Sequence, residues 1–187
     1  DPDMPRGALL MAAAWLAACA HAPLPAAPHS GATPAAELFL RSCNAGDTAG
    51  CVSLGELYEN GEGVGVDLQK AASLYHHACD AGDPSGCGSL GDLYVQGAGV
   101  PKDEAIGATL HERACNAGDN VSCLNLGAQH LDGRGVAKDE VRALVLYRQA
   151  CDGGDFIACS DLGAMLADGV GATKDLALAA AMFRRGC

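Results

Sequence analysis

The stretch Cys43-Asn44-Ala45-Gly46-Asp47-Thr48-Ala49-Gly50-Cys51 places two cysteines eight positions apart around a Gly-Asp pair. Three variants follow, CDAGDPSGC at 79–87, CNAGDNVSC at 115–123 and CDGGDFIAC at 151–159, each 36 residues after the last. A strict period of about 20 to 50 residues is typical of repeat proteins, in which one structural unit stacks on the next. The nonapeptide is therefore interpreted as part of a repeating unit.

Each nonapeptide leads into a short amphipathic helix, helix A. In the first unit Leu54, Leu57 and Tyr58 follow the i, i+3, i+4 spacing of a helix with one buried face. Glycine follows the first leucine in every unit, although it costs roughly 1 kcal/mol against alanine inside a helix. We therefore expect a neighbouring helix to approach closely at these positions, which are Gly55, Gly91, Gly127 and Gly163.

A glycine-rich turn follows helix A and leads into a second helix, helix B. The turn reads NGEGV, QGAGV, DGRGV and DGVGA, and without a preceding strand or a Gly-Lys-Ser/Thr it predicts a helix stop rather than a phosphate loop. Asp67 and its equivalents are predicted to cap helix B, and Asp47 and its equivalents to cap the next helix A. Helix B has three recurring positions. The apolar position is occupied by Leu74, Leu110, Leu146 and Met182, and the aromatic position by Tyr75, His111, Tyr147 and Phe183. The small position is occupied by Ala71, Gly107, Ala143 and Ala179.

Two short antiparallel helices per 36 residues predict an all-α fold, a right-handed α-solenoid. The patterns A-x2-L-[YF]-x2-A-C-x2-G-D and C-x2-L-G-x-L-Y resemble the Sel-one-like repeat, a longer relative of the tetratricopeptide repeat. The Cys-x7-Cys spacing narrows the resemblance to the cysteine-rich branch, the Helicobacter cysteine-rich protein family and its bacterial relatives. The resemblance covers residues 35–187, about four repeats preceded by a half-unit.

The N-terminal part of the chain has a different pattern. Residues 4–6 supply a positive charge, and residues 7–15 form an apolar run too short to anchor in a bilayer. Leu16-Ala17-Ala18-Cys19 then resembles a bacterial lipobox, in which the cysteine is lipid-modified and becomes the first residue of the mature protein. We therefore expect a lipoprotein signal peptide over 1–18 and lipidation of Cys19.

A Pro- and Ala-rich stretch over 19–34 follows and is predicted to be a tether. Ala20, rather than aspartate, follows the lipidated cysteine. By resemblance to lipoprotein sorting this favours the outer membrane, with the protein facing the periplasm or the cell surface. The expected location is the bacterial cell envelope, with membrane attachment through the lipid on Cys19.

The paired cysteines could hold a metal, a redox centre or a disulfide. Zinc sites favour Cys-x2–4-Cys spacing with regularly placed histidines, and redox pairs favour Cys-x-x-Cys; neither pattern is present. An oxidising envelope favours disulfides. We predict four local bridges, Cys43–Cys51, Cys79–Cys87, Cys115–Cys123 and Cys151–Cys159. Cys187 has no partner within the sequence and indicates either an array that continues further or a free or intermolecular thiol.

Charge and motif content exclude several function classes. The net charge of −11 argues against nucleic-acid binding, which requires clustered Lys and Arg. Serine β-lactamase chemistry needs a lysine three residues after the serine and a Lys-Thr-Gly, and both are absent. His76 and His77 are adjacent and would point about 100° apart on a helix. The sequence therefore predicts no catalytic residue, no metal site and no cofactor.

The helix A residues that do not face the core vary between units and predict a binding groove for a protein or peptide. They are Ser53, Glu56, Ser89, Asp92, Asn125, Ala128, Asp161 and Ala164. The resemblance implies an alternative, the weak β-lactamase or penicillin-binding activity attributed to the cysteine-rich family. A second alternative is a haem- or metal-handling assembly factor, as in a cysteine-paired mitochondrial relative of these repeats.

Overall fold

The computed structural model describes residues 33–186. These described residues form one compact unit and contain nine α-helices and no strand. The predicted signal peptide, Cys19, nearly all of the tether and Cys187 lie outside the described residues. The helices are α1 Pro34–Asn44, α2 Thr48–Asn60, α3 Leu68–Asp80, α4 Pro84–Gln96, α5 Glu104–Asn116, α6 Asn120–Asp132, α7 Glu140–Asp152, α8 Phe156–Asp168 and α9 Leu176–Arg185.

The helices alternate between the two predicted types, with helix A at α2, α4, α6 and α8 and helix B at the odd-numbered positions. Each helix packs on its neighbours in sequence, so the all-α solenoid is confirmed. The first helix begins at Pro34, the last residue of the predicted tether, because proline suits the first turn of a helix and Thr33 caps it. None of these helices, within the part of the chain that the structure describes, is long and apolar enough to cross a membrane.

The predicted caps are present in every unit. Asp47 accepts a hydrogen bond from the Ala49 N–H, and Asp67 accepts one from the Lys70 N–H. Helix α2 ends at Gly61, whose φ of 74° is the left-handed conformation expected of a helix-stopping glycine. The second glycine of the turn has a further role. A Cβ on Gly135 would lie only 2.0 Å from the Glu104 carbonyl oxygen, so the turn packs directly on the backbone at the start of the preceding helix B.

Helix A and helix B of one unit meet at the predicted glycine. A Cβ on Gly127 would lie 2.7 Å from the Tyr147 ring, and the other helix A glycines meet the aromatic-position residue of their own units in the same way. Ala71, Ala143 and Ala179, at the small position of helix B, are completely buried or nearly so. The glycine therefore costs helix propensity but lets a large ring from helix B pack against the helix A backbone.

All four predicted disulfides are present, with Cα–Cα distances of 4.4 to 4.7 Å. The eight cysteines are buried, and each bridge joins a helix B to the helix A of the next unit. A second cross-link, which sequence reasoning missed, connects successive helices B. The side chains of Arg113, Gln149 and Arg185, at one register, donate to the carbonyl oxygens of Cys79, Cys115 and Cys151 over 2.6, 3.3 and 3.0 Å.

Candidate functional site

The predicted groove residues lie along the helix A surface, which we define as the polar and small positions of α2, α4, α6 and α8 that do not face the core. All eight residues are half-buried or exposed. Two cavities lie along it. One, of about 210 Å³, is between α4 and α6 and contains Ser89 and Asp92; the other, of about 380 Å³, is between α6 and α8 and contains Ala128, Asp161 and Ala164.

At the joint between α4 and α6, two predicted groove residues bond to each other. The Asn125 amide donates to Asp92 Oδ1 over 3.0 Å. The same Asp92 oxygen lies 3.2 Å from Nε2 of His111, which is buried below it on α5. Asp92 and Asn125 therefore already have partners within the chain, which limits their availability to a ligand.

A buried polar pair lies beneath this joint. Nδ1 of His111 is 2.9 Å from Oε1 of Gln129, and both side chains are at most 2% exposed. Burial lowers the pKa of His111, but Asp92 and the Gln129 amide favour the charged ring, and the pKa is raised above its ordinary value. Nε2 of His111 is close to the Asp92 carboxylate but not in hydrogen-bond geometry, and neither it nor the Gln129 side-chain nitrogen has a hydrogen-bond partner within residues 33–186. The nearby carboxylate therefore favours the imidazolium mainly through its charge.

Neighbouring units have Tyr75 with Leu93 and Tyr147 with Met165 where this unit has His111 with Gln129. Aligning the repeat units of this chain shows both substitutions, a histidine at the aromatic position of helix B and a glutamine at an apolar position of helix A. It did not reveal that the two side chains meet, because they lie on different helices 18 residues apart.

At the joint between α2 and α4, the equivalent polar groups are also satisfied internally. The Tyr75 hydroxyl donates to Glu59 Oε2 over 2.7 Å. Burial, together with this hydrogen bond and the charge of the nearby Glu56, raises the pKa of Tyr75 well above its usual range. A Ser89 side-chain contact acts in the opposite direction. Ser53 lies on the same helix A surface and is half-buried.

The joint between α6 and α8 is built differently. Its cavity is walled by Ala128, Leu131, Ala164, Met165 and Val170 and contains the side chains of Asp132, Tyr147, Asp161 and Asp168. Among the residues that the structure describes, Asp132 alone of the three carboxylates has an ion-pair partner, Arg134 at 3.2 Å. Within residues 33–186, Asp161 and Asp168 accept no side-chain hydrogen bond and contact no cation, and the Tyr147 hydroxyl makes no hydrogen bond.

Electrostatics at this joint follow from that arrangement. Burial, reinforced by the nearby Asp155 carboxylate, raises the pKa of Asp161 above its ordinary value. Burial also raises the pKa of Tyr147 to about 12, and the charges of Asp161 and Asp132 add to the effect. Both groups therefore lie in a low-dielectric, negatively charged environment.

One cluster among the described residues has the residue types of a metal site, namely Cys43, Cys51 and His77. The two sulfur atoms are bonded to each other, so neither is available as a thiolate, which is the form that binds metals. This cluster is therefore a disulfide with a histidine beside it.

Comparison with known proteins identifies the repeat. A model of the Sel1 repeat matches residues 48–83, 84–119, 120–155 and 157–187. No curated protein sequence matches the chain.

Among solved structures, a protective antigen of uropathogenic Escherichia coli strains with an SLR fold is similar at 27% identity and a TM-score of 0.76, over 81% of this chain. This chain spans only 32% of that antigen's length. A Sel1 repeat protein from Oxalobacter formigenes is 28% identical over 81% of this chain and 68% of its own, with a TM-score of 0.72. The cysteine rich protein B of Helicobacter pylori is 32% identical over 68% of this chain and 92% of its own, with a TM-score of 0.57.

The nonapeptide joints, the paired helices and the 36-residue period coincide with the boundaries of the matched repeats. The chain therefore belongs to the Sel1 repeat family.

Proposed function

We propose that this protein is a repeat scaffold that binds a protein or peptide through its helix A surface. Sel1 repeats generally mediate protein–protein interaction. The observation that carries the proposal is the pair of cavities between successive helices A, which contain five of the eight predicted groove residues. The disulfide at each joint fixes the angle between neighbouring units, so the surface is pre-organised and loses little entropy on binding.

Site-specific photocrosslinking tests this proposal. A photoreactive amino acid is placed at Ser53 or Ala164 on the helix A surface and, as matched controls, at the exposed Ser73 or Thr109 on helix B. We expect one discrete partner to crosslink from the helix A positions alone. The purified partner should then bind the purified full chain, and Ala164→Arg should weaken binding. Equal crosslinking from both faces, or unchanged affinity in the variant, contradicts the proposal.

We also propose that the scaffold works in the bacterial cell envelope, held by a lipid on Cys19. The lipobox-like sequence that ends at Cys19 and the four disulfides support this location, because disulfides persist in oxidising compartments. The test is labelling of cells with a radioactive or clickable fatty acid. The wild-type protein should incorporate the label and fractionate with membranes, whereas Cys19→Ala should do neither. Labelling that survives in the variant would disprove this attachment.

No contact in the described part of the chain favours a β-lactam-directed activity or a haem- or metal-handling role, and we propose neither. Nitrocefin turnover by the purified protein that falls with a substitution on the helix A surface would reverse this conclusion.

A further inference from the structure

The joint between α6 and α8 lacks both of the side-chain hydrogen bonds that its two neighbours make at the equivalent positions. Asp161 occupies the register of Asn125, whose partner is Asp92, but the residue at the Asp92 register is Ala128. Tyr147 occupies the register of Tyr75, whose acceptor is Glu59, but the residue at the Glu59 register is Leu131. The repeat geometry is kept, but the amide–carboxylate bond of the preceding joint has no counterpart here, so the Asp161 carboxylate faces the cavity without a donor and the Tyr147 hydroxyl lacks the acceptor that Tyr75 has.

The Tyr147 hydroxyl faces the same cavity and also has no partner within residues 33–186. The residue as a whole is only 3% exposed. The hydroxyl oxygen is not enclosed by protein but opens onto the cavity, where solvent or a ligand can reach it. Its counterpart Tyr75 is instead satisfied within the chain, by donating to Glu59. An external group that bonds to the Tyr147 hydroxyl would supply a hydrogen bond that the fold does not make.

The cavity selects a ligand that is positively charged at its tip and apolar along its stem. Asp161 and Asp168 offer carboxylate oxygens that no cation of residues 33–186 contacts. Helices α6 and α8 end at Asp132 and Asp168, so the partial negative charge of two helix C-termini adds to theirs. The walls are alanine, leucine, methionine and valine side chains, which suit a methylene chain. The volume of about 380 Å³ lies in the range of small-ligand sites.

We propose that this cavity, between α6 and α8, binds a basic side chain, arginine or lysine, that projects from a partner protein. The proposal rests on the proposed function, since the side chain belongs to a protein bound along the helix A surface. A guanidinium or ammonium group supplies only donors, which is what two carboxylates and a hydroxyl can accept. Arginine is the better fit, because its planar fork can reach two acceptors at once.

Short capped peptides test the inference on the purified full chain. Ac-Ala-Arg-Ala-amide and the lysine peptide are compared with a citrulline peptide, which keeps the shape and loses the charge. Binding is followed by chemical-shift changes of the Ala128 and Ala164 methyl groups. We expect the arginine and lysine peptides to shift these methyls and the citrulline peptide to bind at least tenfold more weakly. Equal binding of citrulline overturns the inference, and so does tighter binding of free arginine than of the peptide, because the site would then serve a small molecule.

Matched variants separate the cavity from the rest of the surface. Asp161→Asn should weaken the arginine peptide at least tenfold, whereas Glu62→Gln, an equal charge change at an exposed carboxylate elsewhere, should not. Tyr147→Phe should weaken it several-fold without loss of folding stability. Tyr75→Phe should instead lower stability and leave peptide binding intact, because that hydroxyl has an internal partner. Unchanged binding in both Asp161→Asn and Tyr147→Phe overturns the inference.

The inference and the proposed function fail in different ways. A partner that crosslinks along the helix A surface but binds Asp161→Asn as tightly as the wild type leaves the scaffold proposal intact and refutes the cationic pocket. Peptide binding in the cavity without any partner on the helix A surface refutes the scaffold proposal and leaves the chemistry of the pocket in place, although not its assignment to a bound partner protein.

Discussion

Removing the disulfide at the central joint, by Cys115→Ala with Cys123→Ala, should destabilise the protein by an amount that the loop length sets. The bridge closes a loop of nine residues. In the chain-entropy model, such a closure removes roughly 8.6 cal/mol/K from the unfolded ensemble, or about 2.6 kcal/mol at 25 °C. Both sulfur atoms are buried, so their loss also leaves a small void, and a total near 3 kcal/mol is expected. The cap at Asp119 and the bond from Gln149 to the Cys115 carbonyl remain at this joint.

Position along the array should decide how the loss is observed. The bridge Cys43–Cys51 closes a loop of the same length, so its removal costs a similar entropy. It holds only the terminal helix α1, however, whereas Cys115–Cys123 couples the two halves of the array. In a solenoid whose stability is a sum of nearest-neighbour terms, weakening a central interface uncouples its two sides. The central variant should therefore unfold in two steps, and the terminal variant should lose α1 before the rest melts together.

Urea denaturation without reductant, followed by far-UV circular dichroism, measures both effects, and hydrogen exchange locates the part that opens first. The wild-type protein treated with reductant serves as the limit in which all four bridges are lost. A loss below about 1 kcal/mol in the central variant would refute the entropic account of the staples. A single transition with an unchanged m-value would refute the view of the joint as the coupling element.

Three further changes test the packing and the charges of individual units. Replacing His111 by Phe together with Gln129 by Leu, residues found at these registers in other units (Phe183 and Leu93), should raise the free energy of unfolding by about 1–2 kcal/mol, since two buried polar groups are removed. The wild type should also lose stability as the pH rises through the raised pKa of His111, because its folded state holds a proton that the unfolded state releases, whereas the double variant should not. Parallel profiles of stability against pH for the two proteins would contradict this. Gly127→Ala should destabilise by about 1–3 kcal/mol despite its better helix propensity, because the new Cβ would lie 2.7 Å from the Tyr147 ring, and an unchanged urea midpoint would disprove the close-approach explanation. Asp161→Asn should raise the thermal midpoint at pH 7. The difference should shrink as the pH falls through the raised pKa of Asp161 and disappear below the ordinary pKa of an aspartate, where the folded and the unfolded wild type are both protonated. A gain that persists in stronger acid would mean that charge is not the cause.

The repeating skeleton could be predicted from the sequence because each of its positions occurs four times. Asp47 as a cap, Gly61 as a stop and Gly55 as a contact glycine each have equivalents in every unit. A single residue preference is a weak predictor of local structure, but the same preference repeated four times at a fixed period leaves few alternative structures. The disulfide pairing followed in the same way, since eight cysteines at one spacing favour local bridges.

The contacts that differ between units could not be predicted, because they depend on which side chains meet across helices. The link from Arg113 to the Cys79 carbonyl joins residues 34 apart, and its register is shared by His77, Arg113, Gln149 and Arg185, which have no common chemistry at the level of sequence. The pairing of His111 with Gln129 was equally hidden. Once the structure gives the register, both can be recognised as departures from the pattern.

The two joints that α6 makes, with α4 and with α8, differ from the repeat pattern in different ways, and this difference bears on where the scaffold binds. Towards α4, His111 contacts Gln129 and Asp92, and Asn125 donates to Asp92, so these side chains face one another, although the buried His111 Nε2 and Gln129 Nε2 have no hydrogen-bond partner within residues 33–186. Towards α8, Ala128 and Leu131 stand at the registers of Asp92 and Glu59, and these apolar side chains border a cavity that contains three carboxylates. A solenoid that only needed to fold would gain stability by satisfying both joints. Of the two joints, the one towards α8 presents its uncommitted acceptors, Asp161 and the Tyr147 hydroxyl, on the accessible helix A surface, and for this reason we place the proposed basic side chain there rather than towards α4.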